Sequence, residues 1–243
     1  MEIGGLQKLS LIDYPEKLAC VVFLIGCNFR CSFCHNSSLV LSEKIKKQPR
    51  ISENYFFNFL KRRKKFLEGV VLSGGEPTIW NDLPNFIKKI KNLGYLVKLD
   101  TNGYNPEMLR RLIVQKLINY VAIDIKAPLE LDFQINSNSQ FSKYDKITGI
   151  KVDIKKIKKS IEIIKNSKID YEFRTTIIPT LLRKEDIIQI TKKISPAKRY
   201  FLQNFRPENT LDLKFEKIKP YSQKYLSEIQ KIISPFFEVC RIR

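Results

Sequence analysis

No apolar run in this sequence is long enough to cross a bilayer: the longest uncharged one, residues 18–26, falls far short of the roughly 20 residues a spanning helix needs. The first residues carry neither a basic segment nor a small-residue cleavage site, so the expectation is a cytoplasmic chain without membrane contact. Histidine is nearly missing, His35 being the single one, which suits chemistry that needs no general acid or base. Long polar low-complexity tracts and fixed repeats are absent too. A chain of 243 residues with 43% hydrophobic content can bury one sizeable core. The expectation is a single domain over 1–243, with a core at about 19–205, an N-terminal extension at 1–18 and a C-terminal tail at 206–243. That tail should hold a helix near 221–233 and an apolar end, FFEVCRIR, packed on the core.

Acidic side chains are outnumbered by basic ones, 25 to 44, for a net charge of +19. Such a surplus ordinarily points to nucleic acid or an anionic surface. Here the lysines are dispersed through IKKIKN, DIKKIKKSIEIIKN and TKKIS, where they fall on the polar faces of amphipathic helices and are expected to meet water. Nucleic-acid contact is a minor alternative.

What is present is a rhythm. Short apolar or β-branched runs at 19–25, 69–72, 95–99, 120–125, 169–177 and 199–205 alternate with segments of helical spacing. Helix starts are marked by Ser52, Asn81, Asp153, and Asn105 followed by Pro106; Gly94 and Ser195-Pro196 mark stops. The connection 126–152, rich in Asn, Ser and Asp, reads as a lid or partner-binding loop. Six βα units predict an α/β fold with parallel strands, an open, partial (β/α)6 barrel, and place functional residues on loops leaving the carboxyl ends of the strands.

Five cysteines are an odd number, and three crowd the loop after the first run, GCNFRCSFCHN. Cys20 and Cys240 lie apart in β-favouring stretches and read as small buried side chains. The spacing of Cys27, Cys31 and Cys34 suits metal ligation in a reducing cell. Three thiolates on a four-iron cubane leave one iron open to chelate a substrate's amine and carboxylate, whereas structural clusters normally take four. The alternative is a zinc site with His35 as fourth ligand. Adjacent Cys34 and His35 would have difficulty reaching one tetrahedral ion, and His35 reads better as a local hydrogen-bonding residue.

The second run leads straight into SGGEPT. Gly74 and Gly75 remove side chains where a ligand would approach the backbone, and Glu76 offers a carboxylate to an ammonium group. The cysteine loop, Phe33 before its third Cys and the GGEP run together resemble the radical S-adenosylmethionine (SAM) superfamily. The opening GGLQKLSLIDYP and CNFRCSFCHN resemble, more narrowly, the activating proteins of glycyl-radical enzymes, above all those of anaerobic ribonucleoside-triphosphate reductase.

The resemblance implies a [4Fe-4S] cluster on Cys27, Cys31 and Cys34 and S-adenosyl-L-methionine beside it. The backbone around Phe33 would touch the adenine, and Gly74, Gly75 and Glu76 would hold the methionine ammonium. Asp100, Thr101 and Asn102 of DTNG would contact the ribose and methionine end, with Asp124 and Lys126 of AIDIK nearby. Asp100, Thr101 and Asp124 are also implied candidates for a monovalent cation. Arg174, in FRTTIIP, would clamp the cofactor carboxylate, and Gln203, with Phe205 in LQNF, would face the same mouth. The implied reaction is reductive cleavage of S-adenosylmethionine and hydrogen abstraction from a glycine of a partner enzyme. With no further cysteine clusters in the chain, electrons would come from an external one-electron donor such as flavodoxin or ferredoxin. Rival readings are a radical enzyme modifying RNA or a peptide, and a non-catalytic metal-stabilised binding module.

Overall fold

The structure, a computed structural model, describes residues 1–130 and 141–243. The described residues form one eight-stranded sheet in chain order: β1 (Ile3–Ser10), β2 (Ala19–Leu24), β3 (Gly69–Gly74), β4 (Leu96–Thr101), β5 (Tyr120–Asp124), β6 (Asp170–Ile177), β7 (Ala197–Asn204) and β8 (Phe237–Ile242). β1 is antiparallel to β2, and every later pair is parallel. Between β2 and β3 come α1 (Ser37–Val40), α2 (Ser42–Ile45) and α3 (Glu53–Arg63); then α4 (Leu83–Asn92) and α5 (Pro106–Val114) fill the next two crossovers. α6 (Lys143–Thr148) and α7 (Ile154–Lys165) precede β6, α8 (Lys184–Ile194) precedes β7, and α9 (Gln223–Ile233) precedes β8. The two edges, β1 and β8, do not pair, so the sheet is an open, partial barrel.

The six runs read from the sequence are β2 to β7. The two additional strands lie in the stretches taken as extension and tail. IGGLQKLS has two glycines and a polar second half, so it shows no apolar run, and this edge strand buries its two ends while Gln7, Lys8 and Leu9 stay exposed. FEVCRI becomes a seventh parallel strand through α9, and as an edge it leaves Cys240 half-buried instead of buried. Cys20, on β2, is fully buried as expected.

Caps explain where the helices begin. Ser52 accepts from the Tyr55 amide, Asn105 from Met108 with Pro106 in the first turn, and Asp153 from Lys155. The start expected at Asn81 falls one residue later: Asp82 precedes α4 and makes no side-chain cap bond. Each long helix then buries one stripe, in α7 Ile154, Ile157, Ile161 and Ile164, while Lys155, Lys156, Lys158 and Lys159 stay exposed. Burying such an isoleucine stabilises by about 1.5–3 kcal/mol, so the stripe docks the helix and the lysines merely solvate it.

Alternation along the strands sorts the sheet into two faces. Cys20, Val22 and Leu24 of β2, Val70 and Leu72 of β3, Val97 and Leu99 of β4 and Val121 and Ile123 of β5 join the main core. The residues between them face the other way. There Tyr14, Ala19, Val21, Val71 and Tyr120 form a small apolar plug, and Lys98, Asp100, Asp124, Glu172 and Arg174 form an ionic set joined by ion pairs. The expected loop 126–152 is described only in part, residues 131–140 lying outside the described residues. Its later half is ordered by a capping box, Ser142 with Asp145, and closes on Gly149 in the left-handed region.

Candidate active site

The carboxyl ends of β2 to β7 open into one cavity of about 610 Å³, within the usual size of a small-molecule site. Every cofactor and metal residue singled out in the sequence lines it, whereas Phe205, expected at the same mouth, is buried in the core instead. Cys27, Cys31, Phe33 and Cys34 come from the loop after β2, and Gly74, Gly75 and Glu76 from the end of β3. Asp100, Thr101 and Asn102 end β4, Asp124 and Lys126 follow from β5, Arg174 sits on β6 and Gln203 on β7. Parallel strands in register bring them together, with Asp124 beside Arg174 and Thr176 beside Gln203.

The cysteine loop is pinned from four directions. Asn36 donates from Nδ2 to the Gly74 carbonyl at 2.7 Å, and Asn102 donates from Nδ2 to Asn28 Oδ1 at 2.8 Å. Arg30 N–H donates to the Thr148 carbonyl at 2.7 Å, and Asp212 N–H to the Ser32 carbonyl at 2.8 Å. His35 donates from Nδ1 to the Glu208 carbonyl at 2.8 Å, the local hydrogen-bonding role expected of it. Among the described residues no three His, Cys, Asp or Glu side chains are grouped to hold a single metal ion.

A polynuclear cluster makes a different demand, because each thiolate takes its own metal. The three thiols fit it: all line one cavity, and the other two cysteines lie elsewhere, on β2 and β8. Burial pushes the Cys27 thiol up to about 12 and that of Cys31 to about 11, and raises Cys34 as well. Lys126 draws Cys31 and Cys34 partway back. Bare thiolates are therefore unfavourable here, and a cationic cluster would supply the missing charge as it displaces the protons.

Glu76 is almost fully buried, and it does more than wait for a ligand. Its Oε1 accepts from Thr78 N at 3.1 Å, Thr78 Oγ1 at 2.6 Å and Thr101 Oγ1 at 2.7 Å, and its Oε2 from Asn102 N at 2.7 Å. Burial raises its carboxyl above the ordinary value, against those four donors. The preceding glycines also have a reason beyond the one read from sequence. A β-carbon on Gly74, at φ +111°, would collide with the Leu24 backbone, and one on Gly75 with the Gly26 carbonyl. They let the β2 and β3 loops close on each other, and both still line the cavity.

Arg174 likewise has commitments inside the protein. Its Nε donates to Asp124 Oδ1 at 2.7 Å and one terminal nitrogen to Asp100 Oδ2 at 3.1 Å. Lys98, 1% exposed, pairs with Asp100 at 2.5 Å, and Lys126 pairs with Asp124 at 3.0 Å. Burial would raise both aspartates, but Arg174 together with these lysines outweighs it and holds them below the usual carboxylate range. The set read as a monovalent-cation site thus already faces side-chain cations, and Thr101 Oγ1 is bonded to Glu76. Sequence reasoning missed Asn28, Asn36, Lys98, Glu172 and Arg243. Only the position of Lys98, two residues before Asp100 on a strand and so on the same face, could have signalled one of them.

A parallel α/β sheet with three cysteines at its mouth, facing a glycine-rich turn and a ring of charged strand ends, defines an enzyme class built for radical chemistry. The model of the radical SAM superfamily matches residues 21–193, and this chain belongs to that superfamily, which implies an iron–sulfur cluster and S-adenosylmethionine. It is homologous to activating enzymes of glycyl-radical enzymes. A Methanocaldococcus jannaschii protein named "Putative glycyl-radical enzyme activating enzyme" is 35% identical, over 99% of this chain and 95% of that one. The pyruvate formate-lyase-activating enzyme of Clostridium pasteurianum is 26% identical, over 89% and 86%.

Among solved structures, SuiB of Streptococcus suis bound to S-adenosylmethionine shares the fold at a TM-score of 0.64 and 15% identity, over 91% of this chain and 51% of that one. The chain thus spans about half of SuiB. QueE from Escherichia coli matches at a TM-score of 0.53 and 14% identity, over 98% and 92%. Among the described residues no helix is long and apolar enough to cross a membrane.

Proposed function

We propose that this chain is an activase that cleaves S-adenosylmethionine reductively and generates a glycyl radical on a partner enzyme, anaerobic ribonucleoside-triphosphate reductase. The observation that carries the reading is the one cavity lined together by the three thiols, Cys31 buried and Cys27 and Cys34 half-buried, and by Glu76, Asp100, Asp124 and Arg174. Homology to glycyl-radical activating enzymes supports the partner class. The choice of the reductase rests on the GGLQKLSLIDYP and CNFRCSFCHN segments.

Cys27, Cys31 and Cys34 would hold a [4Fe-4S] cluster, which when bound supplies the electron for cleavage. The rest falls to the side chains around it. Glu76 Oε2 accepts from one protein donor, Asn102 N, and a carboxylate oxygen has room for a second, an ammonium hydrogen. Arg174 and Lys126, both paired with Asp124 and both lining the cavity, would present positive charge to a carboxylate. An amino-acid head group therefore meets opposite charges at its two ends. The backbone around Phe33 would touch the adenine, while the Phe33 ring is buried with Lys126 Nζ 5.9 Å from its centroid. Hydrogen abstraction needs no protein base, consistent with the one histidine of the chain being tied to the Glu208 carbonyl. Electrons would come from an external donor such as flavodoxin or ferredoxin.

The test is to mix reduced holoprotein, S-adenosylmethionine and the anaerobic reductase without oxygen and record the electron paramagnetic resonance spectrum. A glycyl doublet is expected, with one 5′-deoxyadenosine per radical. Deoxyadenosine without a doublet would overturn the partner assignment and favour an enzyme modifying RNA or a peptide.

A further inference from the structure

Three carboxylates surround Arg174: half-buried Asp124 at 2.7 Å, and buried Asp100 at 3.1 Å and Glu172 at 3.9 Å. Each of them also has a cation of its own. Lys126 serves Asp124, Lys98 serves Asp100, and Arg243 serves Glu172 with two contacts, at 3.2 and 3.5 Å. Four cations thus face three anions. The surplus of one positive charge falls on the shared member, Arg174, in the wall of the cavity.

Glu172 is 0% exposed, and among the described residues its only other side-chain hydrogen-bond donor is the Tyr120 hydroxyl at 3.0 Å. A neutral hydroxyl does not offset a buried carboxylate, which needs a paired charge. Without Arg243 the nearest remaining cation is Arg174. Its guanidinium would be drawn inward, toward Glu172, and the surplus would be gone. Arg243 is itself held firmly. Its N–H donates to the Leu202 carbonyl at 2.8 Å, its backbone oxygen accepts from Asn204 N at 3.0 Å, and its guanidinium lies 3.5 Å from the centroid of the Phe201 ring.

We propose that Arg243 is a positioning residue for the S-adenosylmethionine site: by neutralising Glu172 it leaves Arg174 to the aspartates and keeps one uncompensated positive charge for the cofactor's carboxylate. The inference rests on the functional reading above, because it takes the cavity to bind S-adenosylmethionine. It gives the residue that follows the last strand, β8, a part in cofactor binding.

The experiment is calorimetric titration of S-adenosylmethionine into reconstituted holoprotein, comparing wild type with R243Q, R243K and the double variant E172Q/R243Q, with iron content and thermal midpoint measured on each. R243Q should bind about tenfold or more weakly, the loss expected of one charge-assisted contact, at wild-type iron content. R243K should keep most of the affinity. The double variant, which removes the buried carboxylate along with its partner, should recover to within about threefold of wild type. A merely structural role would lower iron content and midpoint in step with affinity, and E172Q would restore all three together. Wild-type affinity in R243Q, or a double variant as weak as R243Q, overturns the role of Arg243 alone. A wild-type protein that does not bind S-adenosylmethionine overturns the functional reading as well.

Discussion

Gly149 and Arg30 meet so closely that a β-carbon on the glycine would stand 2.6 Å from the arginine's carbonyl oxygen, and the Gly149 backbone has a φ of +69°. The segment that follows α6 is therefore a backstop for the cysteine loop, reinforced by the Arg30 to Thr148 hydrogen bond. Gly149→Ala should cost about 1–2 kcal/mol from the left-handed backbone alone and also push the loop outward. Iron bound per chain after anaerobic reconstitution, measured beside a thermal melt, should fall more than the loss of folded protein explains. Unchanged iron content would mean that the loop absorbs the clash.

Removing one thiolate tests the metal assignment itself. Cys31→Ala leaves two cysteines on the loop, too few to retain a cubane. Iron content and 5′-deoxyadenosine formation should both drop to background, whereas Cys20→Ala, altering a cysteine in the helix-facing core, should keep both. Full cleavage activity in Cys31→Ala would remove the basis of the proposed chemistry.

Glu76 joins the β3 and β4 loops with four accepted hydrogen bonds. In Glu76→Gln the amide nitrogen must face a donor at one of its oxygen positions, a cost of about 1–3 kcal/mol for a buried unsatisfied group. The variant should melt lower and bind S-adenosylmethionine more weakly, and titration calorimetry separates the two losses. Wild-type affinity would show that the ammonium does not use this carboxylate.

Acid should find the ionic set first. Asp100 and Asp124 sit below the ordinary carboxylate range in the folded chain because, against the cost of burial, Arg174 and its neighbouring lysines favour the charged form. Below about pH 4, the unfolded-state value, the unfolded chain takes up protons that the folded one refuses, so stability falls as pH falls. Glu76, whose carboxyl is raised by burial, works the other way just above its ordinary value. Denaturant melts between pH 5 and pH 2.5 should show the decline in wild type and a shallower slope in Asp124→Asn, which is less stable at neutral pH but has one fewer proton to bind. Equal slopes would exclude Asp124 as a source.

Much of the site was legible because its residues follow strand ends, and strand ends were marked by apolar runs. CNFRCSFC after 19–25 and GGEP after 69–72 need no tertiary information to be assigned to one mouth, since parallel strands with right-handed crossovers point their carboxyl ends the same way. β1 and β8 were not legible as strands, because an edge strand buries too little to show a run. Glu172 was unreadable for a related cause: one acidic residue in DYEFRTTI looks the same whether it meets water or is sealed behind Tyr120 and Arg243.

Local order thus accounts for the number of central strands, the helix caps, the tri-cysteine spacing and the glycine pair, all of which depend on near neighbours in the chain. Partners did not follow from it. Arg174 reads as a clamp for a ligand, yet it is held first by Asp124 and Asp100, from strands some 50 and 74 residues away. Gly75 reads as room for a ligand, yet it makes room for Gly26. Charges and close backbone approaches are settled by which strands lie side by side, and that is fixed by the packing of the whole sheet against its helices.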